Sequence, residues 1–228
     1  MRAAVIGSAG GIGRRVRAQL ESAHVDVVGL DRCGDVQIRA DLAELDTDSA
    51  FSRWLTGLEQ VEHPFDIVVW SAAVYHRTAP ADYTPVDLET VARINLLSYL
   101  RLLTSIARRQ TSWPAPLRLI ALGSQAGAVG GLDHVYAASK AGIVAATKSL
   151  ARELAGTGLV ANVVSPGPTN TPMSQVMGAR RAHYESTIPA GRFNEPDEVA
   201  AVVTWLALDA PVTLTGTVVD IDGGQVRR

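Results

Sequence analysis

Short apolar runs alternate with longer stretches of helical spacing along most of this chain. The short runs are rich in Val, Ile and Leu, and most of them are apolar throughout rather than alternating. Such runs are typical of parallel strands that are buried on both faces. The pattern therefore predicts β-α-β units around one parallel sheet. We expect strands at 3–6, 25–30, 36–38, 66–70, 117–122, 159–163 and 217–221, and helices near 12–22, 47–60, 86–109, 135–155 and 196–208.

The stretch 165–195 has no clear element and is rich in Pro, Gly, Ser and Thr. It follows the carboxyl end of a predicted strand, and open α/β sheets bind their ligands at that edge. We therefore predict a substrate loop at about 165–195. Residues 1–228 are expected to form a single α/β domain, a doubly wound parallel sheet of about seven strands with helices on both faces.

Composition excludes several classes of protein. The 228 residues include 21 basic and 23 acidic side chains, for a net charge of −2, so nucleic acid is not expected as a partner. No stretch reaches the ~18 continuous apolar residues of a membrane-spanning helix, and glycines interrupt the N-terminus too early for a signal peptide. The single cysteine, Cys33, permits no internal disulfide, so we expect a cytoplasmic protein.

A glycine-rich turn, Gly7-Ser8-Ala9-Gly10-Gly11-Ile12-Gly13, joins the first predicted strand to the first helix. Such a turn brings backbone amides and a positive helix end against a pyrophosphate, although glycine-rich turns also serve purely as joints. The next strand ends at Asp31, where a carboxylate accepts hydrogen bonds from ribose hydroxyls and repels a 2′-phosphate. Asp31 favours NAD, whereas the adjacent Arg32 either holds the phosphate of NADP or is a solvated cation. Asp41 faces the adenine or lies in an exposed turn.

Tyr136 and Lys140 are four residues apart at the start of a predicted helix, which places them on one face. A phenol with a pKa near 10 exchanges protons poorly at neutral pH unless a fixed cation stabilises the phenolate. An ordinary exposed pair is the alternative interpretation. Composition argues against it, because the chain has 19 arginines and only two lysines, Lys140 and Lys148. A compact ammonium reaches groups that a planar guanidinium does not fit.

With these motifs in order, the chain resembles the short-chain dehydrogenases/reductases from residue 5 to residue 224. This family consists of NAD(P)-dependent oxidoreductases built on one Rossmann domain. The glycine loop is similar to its coenzyme motif, and Tyr136 with Lys140 to its Y-x-x-x-K. Ser124, after the fifth predicted strand, matches its catalytic serine. Further matches are Asn95, the segment 162–171 with Pro166-Gly167 and Thr171, the segment Gly191-Arg192-Phe193 with Pro196, and the closing Asp220-Ile221-Asp222-Gly223-Gly224.

The resemblance implies hydride transfer between the nicotinamide and a carbinol or carbonyl carbon, with Tyr136 as general acid in reduction and base in oxidation. It implies that Lys140 lowers the tyrosine pKa and binds the nicotinamide ribose, and that Ser124 binds the reacting oxygen. The expected catalytic residues are Asn95, Ser124, Tyr136 and Lys140. Asn95 would hold a water that links Lys140 to solvent. The expected coenzyme-binding residues are Gly7, Gly10, Gly11, Ile12, Gly13, Asp31, Arg32, Asp41, Leu42, Ser71, Ala72, Tyr136, Lys140, Pro166, Gly167, Thr169 and Thr171.

The loops after strands four, five and six should determine substrate specificity, because they converge on the nicotinamide end. The expected substrate residues are His76, Gln125, His134, Met173 and Met177, with Tyr75, Arg77, His183 and Tyr184 as further candidates. The basic side chains His76, Arg77, Arg180 and Arg181 either steer an anionic substrate or are solvated. No histidine has metal-ligand spacing, so no metal site is expected.

These features favour an enzyme that interconverts a secondary alcohol and a ketone, with NAD as coenzyme and NADP as the alternative. Two other interpretations stay open. One is a dinucleotide-binding regulator on the same scaffold, against which the intact catalytic set argues. The other is a non-redox enzyme, favoured slightly because Trp70-Ser71-Ala72-Ala73 replaces the family's usual N-A-G. The resemblance also implies a homotetramer or homodimer, in which helices near 86–109 and 136–155 pair between copies.

Overall fold

Seven parallel strands form a single sheet in the computed structural model. The structure describes residues 1–60, 65–108 and 116–226, without the side chains of residues 60, 176, 177 and 179. The order across the sheet is β3-β2-β1-β4-β5-β6-β7, and every pairing is parallel. The predicted doubly wound sheet of seven strands is confirmed. The strands are β1 (Arg2–Ile6), β2 (Asp26–Asp31), β3 (Ile38–Arg39), β4 (Ile67–Trp70), β5 (Leu117–Leu122), β6 (Leu159–Pro166) and β7 (Val218–Ile221).

Helices cover both faces of the sheet, with α1 and α8 on one face and α2, α4 and α6 on the other. None of the helices in the described ranges is long and apolar enough to cross a membrane. The α-helices are α1 (Gly11–Ser22), α2 (Ala50–Gln60), α3 (Pro85–Val91), α4 (Ser98–Arg108), α5 (Ala126–Val129), α6 (His134–Glu153), α7 (Arg181–Glu185) and α8 (Pro196–Leu208), and 3-10 helices cover Pro80–Asp82 and Pro172–Arg180.

Successive residues of the central strand β1 serve opposite layers of the core. Ala3 and Val5 pack with side chains of α1 and α8, whereas Ala4 and Ile6 pack with side chains of α2, α4 and α6. All four are at most 1% exposed. A strand that is covered on both faces needs apolar residues at every position, which is why this run does not alternate. The edge strand β7 differs, because all four of its residues are only partly buried.

The helix predicted at 86–109 is divided into three parts. Helix α3 ends at Val91, a π-helix covers Ala92–Leu97, and α4 begins at Ser98. A π-helix has one residue more in each hydrogen-bonded turn than an α-helix. The spacing of apolar residues in the sequence changes too little to reveal this. The π-helix carries Asn95 into the interior, where it is fully buried. Residue 109 of the prediction lies outside the described residues.

The predicted loop at 165–195 begins inside β6 and has structure of its own. Ser165 and Pro166 continue the strand, because they stay in register with Asp220 and Ile221 of β7. The rest contains the 3-10 helix Pro172–Arg180 and helix α7. Other bounds shift less: the strand expected at 36–38 is Ile38–Arg39, and the helix expected at 47–60 begins at Ala50.

The segment Trp70-Ser71-Ala72-Ala73, which begins at the last residue of β4, keeps its backbone pairing and places an aromatic ring in the core. Trp70 is fully buried, and its ring centre lies 5.3 Å from that of Tyr99 and 6.2 Å from that of Phe51. The next residue, Ser71, donates its backbone N–H to the carbonyl of Ile6 at 2.8 Å. The strand end is therefore held without an asparagine amide.

Candidate active site

Two adjoining cavities open where the parallel strands end. The larger, of about 460 Å³, lies over the glycine loop and the ends of β1 and β2. The smaller, of about 200 Å³, lies between the end of β5, the start of α6 and the segment after β6. Both are at the carboxyl edge of the sheet, where this class of fold binds ligands. They share Ile12, Ser71, Ala73, Thr171 and Met173, so one elongated ligand can extend from the first cavity into the second.

The glycine loop is packed so closely that side chains are excluded. A Cβ on Gly13 would lie 2.1 Å from the carbonyl oxygen of Gly7, so α1 rests directly on the loop. A Cβ on Gly11 would lie 2.6 Å from a side-chain carbon of Thr171, which covers the loop from above. The N-cap residue Gly10 has no capping side chain, and the first turn of α1 has no acid. This uncapped helix start, facing the larger cavity, fits a dinucleotide pyrophosphate.

Asp31 joins the end of β2 to the glycine loop. Its carboxylate accepts hydrogen bonds from the backbone N–H groups of Ala9 at 3.0 Å and Arg32 at 2.7 Å. Asp31 and Arg32 both line the larger cavity, as do Asp41 and Leu42. Of the other expected coenzyme residues, Gly7, Gly10, Gly11, Ile12, Ser71, Ala72 and Thr171 line the larger cavity, Tyr136, Lys140, Pro166, Gly167 and Thr169 line the smaller one, and Gly13 lies beneath the loop.

Ser124, Tyr136 and Lys140 meet at the smaller cavity. Ser124 follows β5 and Tyr136 lies in the first turn of α6, and the Ser124 hydroxyl is close enough to Tyr136 to lower its pKa. Lys140 lies one turn further along α6, with Nζ 5.6 Å from the centre of the Tyr136 ring. The Lys140 ammonium also donates to the carbonyl of Leu122 at 2.8 Å. A hydroxyl pair and a cation thus face one space, as general acid-base catalysis at a carbonyl requires.

Burial shifts the pKa values of Tyr136 and Lys140 in opposite directions. It raises the pKa of Tyr136 to about 12, and the hydrogen bond from Ser124 partly opposes this rise. Burial also lowers the pKa of Lys140 to about 7, since Lys140 is only 2% exposed. The phenol therefore holds its proton near neutral pH, as the acid in a carbonyl reduction must.

Sequence analysis missed Asp133, which anchors the start of α6. Asp133 is 1% exposed, and its carboxylate accepts hydrogen bonds from the backbone N–H of Tyr136 at 2.9 Å, the hydroxyl of Tyr83 at 2.7 Å and the backbone N–H of Arg77 at 3.1 Å. Burial and the bond to Asp133 raise the pKa of Tyr83. Arg77 has φ of +54°, which is rare for a residue with a side chain. An aspartate before a helical run is an N-cap signal that identifies this residue.

The side chain of Asn95 holds the segment after β4 against α6. Its Oδ1 accepts from the backbone N–H of Val74 at 2.8 Å, and its Nδ2 donates to the carbonyl of Val74 at 2.9 Å and to Ser139 Oγ at 3.2 Å. Both amide hydrogens are therefore in use. Asn95 does not line either cavity in the part of the chain that the structure describes. The expected relay water stays a prediction.

Tyr75, Gln125, Met173 and Tyr184 line the smaller cavity. The Tyr75 ring meets the ring of Tyr136 edge-on, with centres 4.9 Å apart. Gln125 and Met173 were expected at the substrate, and Tyr75 and Tyr184 were further candidates. The side chain of Met177, also expected there, lies outside the described part of the structure.

The structure places His76 and His134 away from both cavities, as far as their described lining shows. His134 is two residues before Tyr136 on α6, so it points to a different face of the helix, and its ring packs against Tyr83. His76 Nδ1 lies 3.6 Å from a carboxylate oxygen of Asp87. Sequence spacing does not reveal the direction of His134, because it depends on where α6 begins.

Arg180, Arg181 and His183 do not belong to the described lining of either cavity. Arg181 pairs with Glu185 at 2.9 Å and lies over the Phe193 ring at 4.5 Å, whereas Arg180 and His183 are exposed. Within the described residues, no group of three or more His, Cys, Asp or Glu side chains is arranged to hold a metal ion.

A family model described as enoyl-(acyl carrier protein) reductase matches residues 7–225. The 3-oxoacyl-[acyl-carrier-protein] reductase FabG of Haemophilus influenzae is 32% identical over 236 residues, which cover 97% of this chain and 96% of that protein. The 3-oxoacyl-[acyl-carrier-protein] reductase MabA of Mycobacterium tuberculosis is 35% identical over 182 residues, 78% of this chain and 73% of that protein.

Solved structures agree with these sequence relatives. A short chain dehydrogenase from Burkholderia cenocepacia in complex with NADP has a TM-score of 0.86 at 26% identity, covering 98% of this chain and 97% of that one. A short-chain dehydrogenase/reductase from Brucella melitensis, described as glucose/ribitol dehydrogenase, shares the fold with a TM-score of 0.87 at 24% identity, covering 100% and 97%. The family indicated by the sequence motifs is confirmed. This chain belongs to the short-chain dehydrogenase/reductase family and is an NAD(P)-dependent oxidoreductase acting between secondary alcohols and ketones.

Proposed function

We propose that this protein is an NAD-preferring ketoreductase in which Tyr136 transfers the proton. The observation that carries the proposal is the meeting of the Ser124 and Tyr136 hydroxyls with the Lys140 ammonium at one cavity. When bound, the nicotinamide ring supplies or accepts a hydride. In reduction, the carbonyl carbon gains that hydride and the carbonyl oxygen gains the Tyr136 proton.

Ser124 and Lys140 support the proton transfer in different ways. The Ser124 hydroxyl donates to the reacting oxygen as negative charge develops there. The Lys140 ammonium, 5.6 Å from the Tyr136 ring centre, stabilises the phenolate that remains after the proton leaves. Its other hydrogens would bind the ribose of the coenzyme, which Pro166 and Gly167 at the same cavity would contact. Asn95 fixes the segment after β4 through Val74 and would hold a water that links Lys140 to solvent.

Asp31 supports the preference for NAD over NADP. Its carboxylate lines the larger cavity at the end of β2, where it accepts from ribose hydroxyls and repels a 2′-phosphate. Arg32 lines the same cavity and favours NADP, and the Burkholderia relative is described with bound NADP. We assign the larger effect to Asp31, because its carboxylate is anchored by backbone N–H groups, whereas Arg32 is exposed.

We further propose that residues 1–228 form one domain whose segment at about 165–195 closes over the substrate, and that two or four copies assemble. Thr171 and Met173 in this segment line both cavities. Leu97, the last residue of the π-helix, and Leu100, in the first turn of α4, are 41% and 36% exposed, which supports pairing of this helical segment between copies. Light scattering on the purified protein measures the number of copies, and a monomer at micromolar concentration contradicts the assembly.

A coenzyme-coupled assay tests the proposed activity. The wild-type protein is incubated with NADH or NADPH and a panel of small and acyl-chain ketones, and in reverse with secondary alcohols, while absorbance of the reduced coenzyme is followed. We expect turnover of at least one ketone, faster with NADH than with NADPH. Binding of reduced coenzyme without turnover of any ketone or alcohol would contradict the proposal and favour a dinucleotide-binding regulator.

A further inference from the structure

Two buried side chains hold the backbone on either side of Tyr75, in the segment after β4. Asn95 accepts from the backbone N–H of Val74 at 2.8 Å and donates to the carbonyl of the same residue at 2.9 Å. Asp133 accepts from the backbone N–H of Arg77 at 3.1 Å. Asn95 is 0% exposed and Asp133 is 1% exposed, and hydrogen bonds in such surroundings are stronger than in water. The chain between these contacts, which carries Tyr75, is therefore fixed in place.

Arg77 has an unfavourable backbone conformation next to one of these contacts. Its φ of +54° lies in the left-handed region, which residues with a side chain rarely adopt. Residues in such conformations persist where the surrounding structure holds them, and they are enriched at active sites. The strained residue lies two positions beyond Tyr75, at the point where Asp133 ties the segment to the start of α6.

Tyr75 contacts Tyr136 from this fixed position. The two rings meet edge-on, with centres 4.9 Å apart and planes at 62°, a geometry that aromatic pairs favour. Lys140 Nζ lies 5.6 Å from the centre of the same Tyr136 ring. Burial raises the pKa of Tyr136 to about 12, and the neighbouring Tyr75 adds to this rise. The ring of Tyr75 thus limits the positions that the Tyr136 ring can take and occupies space that water would fill.

We infer that Tyr75 is a positioning residue for the proton transfer: its ring holds the Tyr136 hydroxyl towards the reacting carbonyl and keeps water from the phenol. The inference rests on the proposed function, since it takes Tyr136 as the proton donor. The rings make the contact, so phenylalanine in place of Tyr75 should retain the effect and an aliphatic side chain should lose it. A misplacement of about 1 Å at a reacting group can reduce a rate by about 100-fold.

Loss of the ring should also change the pH dependence of reduction. The titratable or charged side chains that line the described part of the cavity or act on Tyr75 are Tyr75, Arg77, Asp133, Tyr136, Lys140 and Tyr184. Without the Tyr75 ring, water reaches Tyr136, and its pKa falls towards the ordinary value near 10. Reduction requires the protonated phenol, so its rate should decrease at a lower pH than in the wild type. The other groups are present in both proteins, so the difference between the two profiles reports the lost ring.

Three variants of Tyr75 and one control test the inference. Tyr75→Leu and Tyr75→Met remove the ring, and Tyr75→Phe keeps it. Urea denaturation and fluorescence titration with NADH identify a ring-free variant that folds and binds coenzyme within a few-fold of the wild type. On the ketone that the wild type reduces fastest, we expect kcat of that variant to fall at least about ten-fold, with KM within about three-fold. Tyr75→Phe should restore kcat to within about three-fold of the wild type.

The matched control is Trp205→Leu. It removes an aromatic ring from α8, at a 44% exposed residue outside the described lining of both cavities, and its kcat should equal that of the wild type. The second measurement is kcat for reduction between about pH 7 and pH 10.5. We expect the rate of the ring-free variant to decrease at a pH at least about 0.5 unit lower than in the wild type, and Tyr75→Phe to follow the wild type.

Several outcomes overturn the inference and leave the ketoreductase proposal standing. A wild-type kcat in the ring-free variant, or an unchanged pH profile, does so. A change in KM alone would show that Tyr75 only bounds the substrate, an equal loss in Tyr75→Phe would assign the effect to the hydroxyl, and failure of both ring-free variants to fold would assign Tyr75 to the core. Absence of turnover by the wild type with every ketone and alcohol tested overturns the proposed function, and the inference with it.

Discussion

The carboxylate of Asp133 accepts a hydrogen bond from the backbone N–H of Tyr136 at 2.9 Å. The same buried carboxylate binds the hydroxyl of Tyr83 and the backbone N–H of Arg77. It therefore links the start of helix α6 to the segment that follows β4. That segment also carries Tyr75, whose ring touches the ring of Tyr136. Asp133 thus positions both the proposed proton donor, Tyr136, and one wall of the cavity.

Replacement of Asp133 should destabilise the fold. Asp133→Ala removes the N-cap of α6 and leaves the Tyr83 hydroxyl and Arg77 N–H without their acceptor, so we expect a loss of at least about 2 kcal/mol in the free energy of unfolding. Asp133→Asn should lose less, because its amide oxygen still caps the helix. Urea denaturation measures both changes. The control is Asp82→Ala, at an exposed residue, and a loss in Asp133→Ala no larger than in this control would contradict the role of Asp133.

Replacement of Asp31 should change coenzyme selectivity. Asp31→Asn keeps an oxygen for the Ala9 N–H and removes the negative charge, so repulsion of a 2′-phosphate disappears. We expect the ratio of kcat/KM for NADPH to that for NADH to rise at least about ten-fold. The control is Asp35→Asn, at an exposed residue of the next turn. A ratio unchanged in both variants would show that Asp31 does not select the coenzyme.

The two lysines should respond differently to the same substitution. Lys140 is 2% exposed and donates to the Leu122 carbonyl, and a larger planar guanidinium does not fit this position equally. We expect Lys140→Arg to lose at least about 100-fold in kcat/KM. Lys148 is exposed on the same helix, so Lys148→Arg should stay within about two-fold of the wild type. A similar loss of kcat/KM in Lys140→Arg and Lys148→Arg would contradict a specific role of Lys140 in the reaction.

Lys140 should also make the stability of the coenzyme-free protein depend on pH. Burial lowers its pKa from 10.5 to about 7, so between those values the unfolded chain binds a proton that the folded chain does not. Stability should therefore rise with pH across this window, by up to about 1.4 kcal/mol per pH unit from this group. Urea denaturation at pH 7, 8 and 9 measures the slope. Lys140→Met should have a shallower slope, and equal slopes would contradict the lowered pKa of Lys140.

Much of the fold could be predicted from the sequence, because buried parallel strands have continuous apolar runs and the covering helices have apolar residues at helical spacing. The run at 3–6 is apolar throughout, and the strand it forms is covered on both faces. The helix predicted at 86–109 was wrong in its middle, because the π-helix at Ala92–Leu97 adds one residue to a turn without changing composition. The extension of β6 to Pro166 depends on pairing with β7, and local pattern contains no information about that partner.

Within the site, the sequence predicts neighbours on one helix but not contacts between distant segments. Tyr136 and Lys140 share a helix, so their spacing alone predicts a common face. Contacts between distant segments were not predictable, such as Asn95 with Val74 or Tyr75 with Tyr136. His134 was expected at the substrate but points away, because α6 begins there and Tyr136 is two residues further along the helix.

The most direct test of the proposed mechanism is the turnover of Tyr136→Phe. The variant keeps the ring that packs against Tyr75 and removes only the hydroxyl. Fluorescence titration with NADH should show coenzyme binding within a few-fold of the wild type, which establishes that the site is intact. On the ketone that the wild type reduces fastest, we predict a loss of at least about 1,000-fold in kcat. A kcat within ten-fold of the wild type, with coenzyme bound, would show that Tyr136 is not the proton donor.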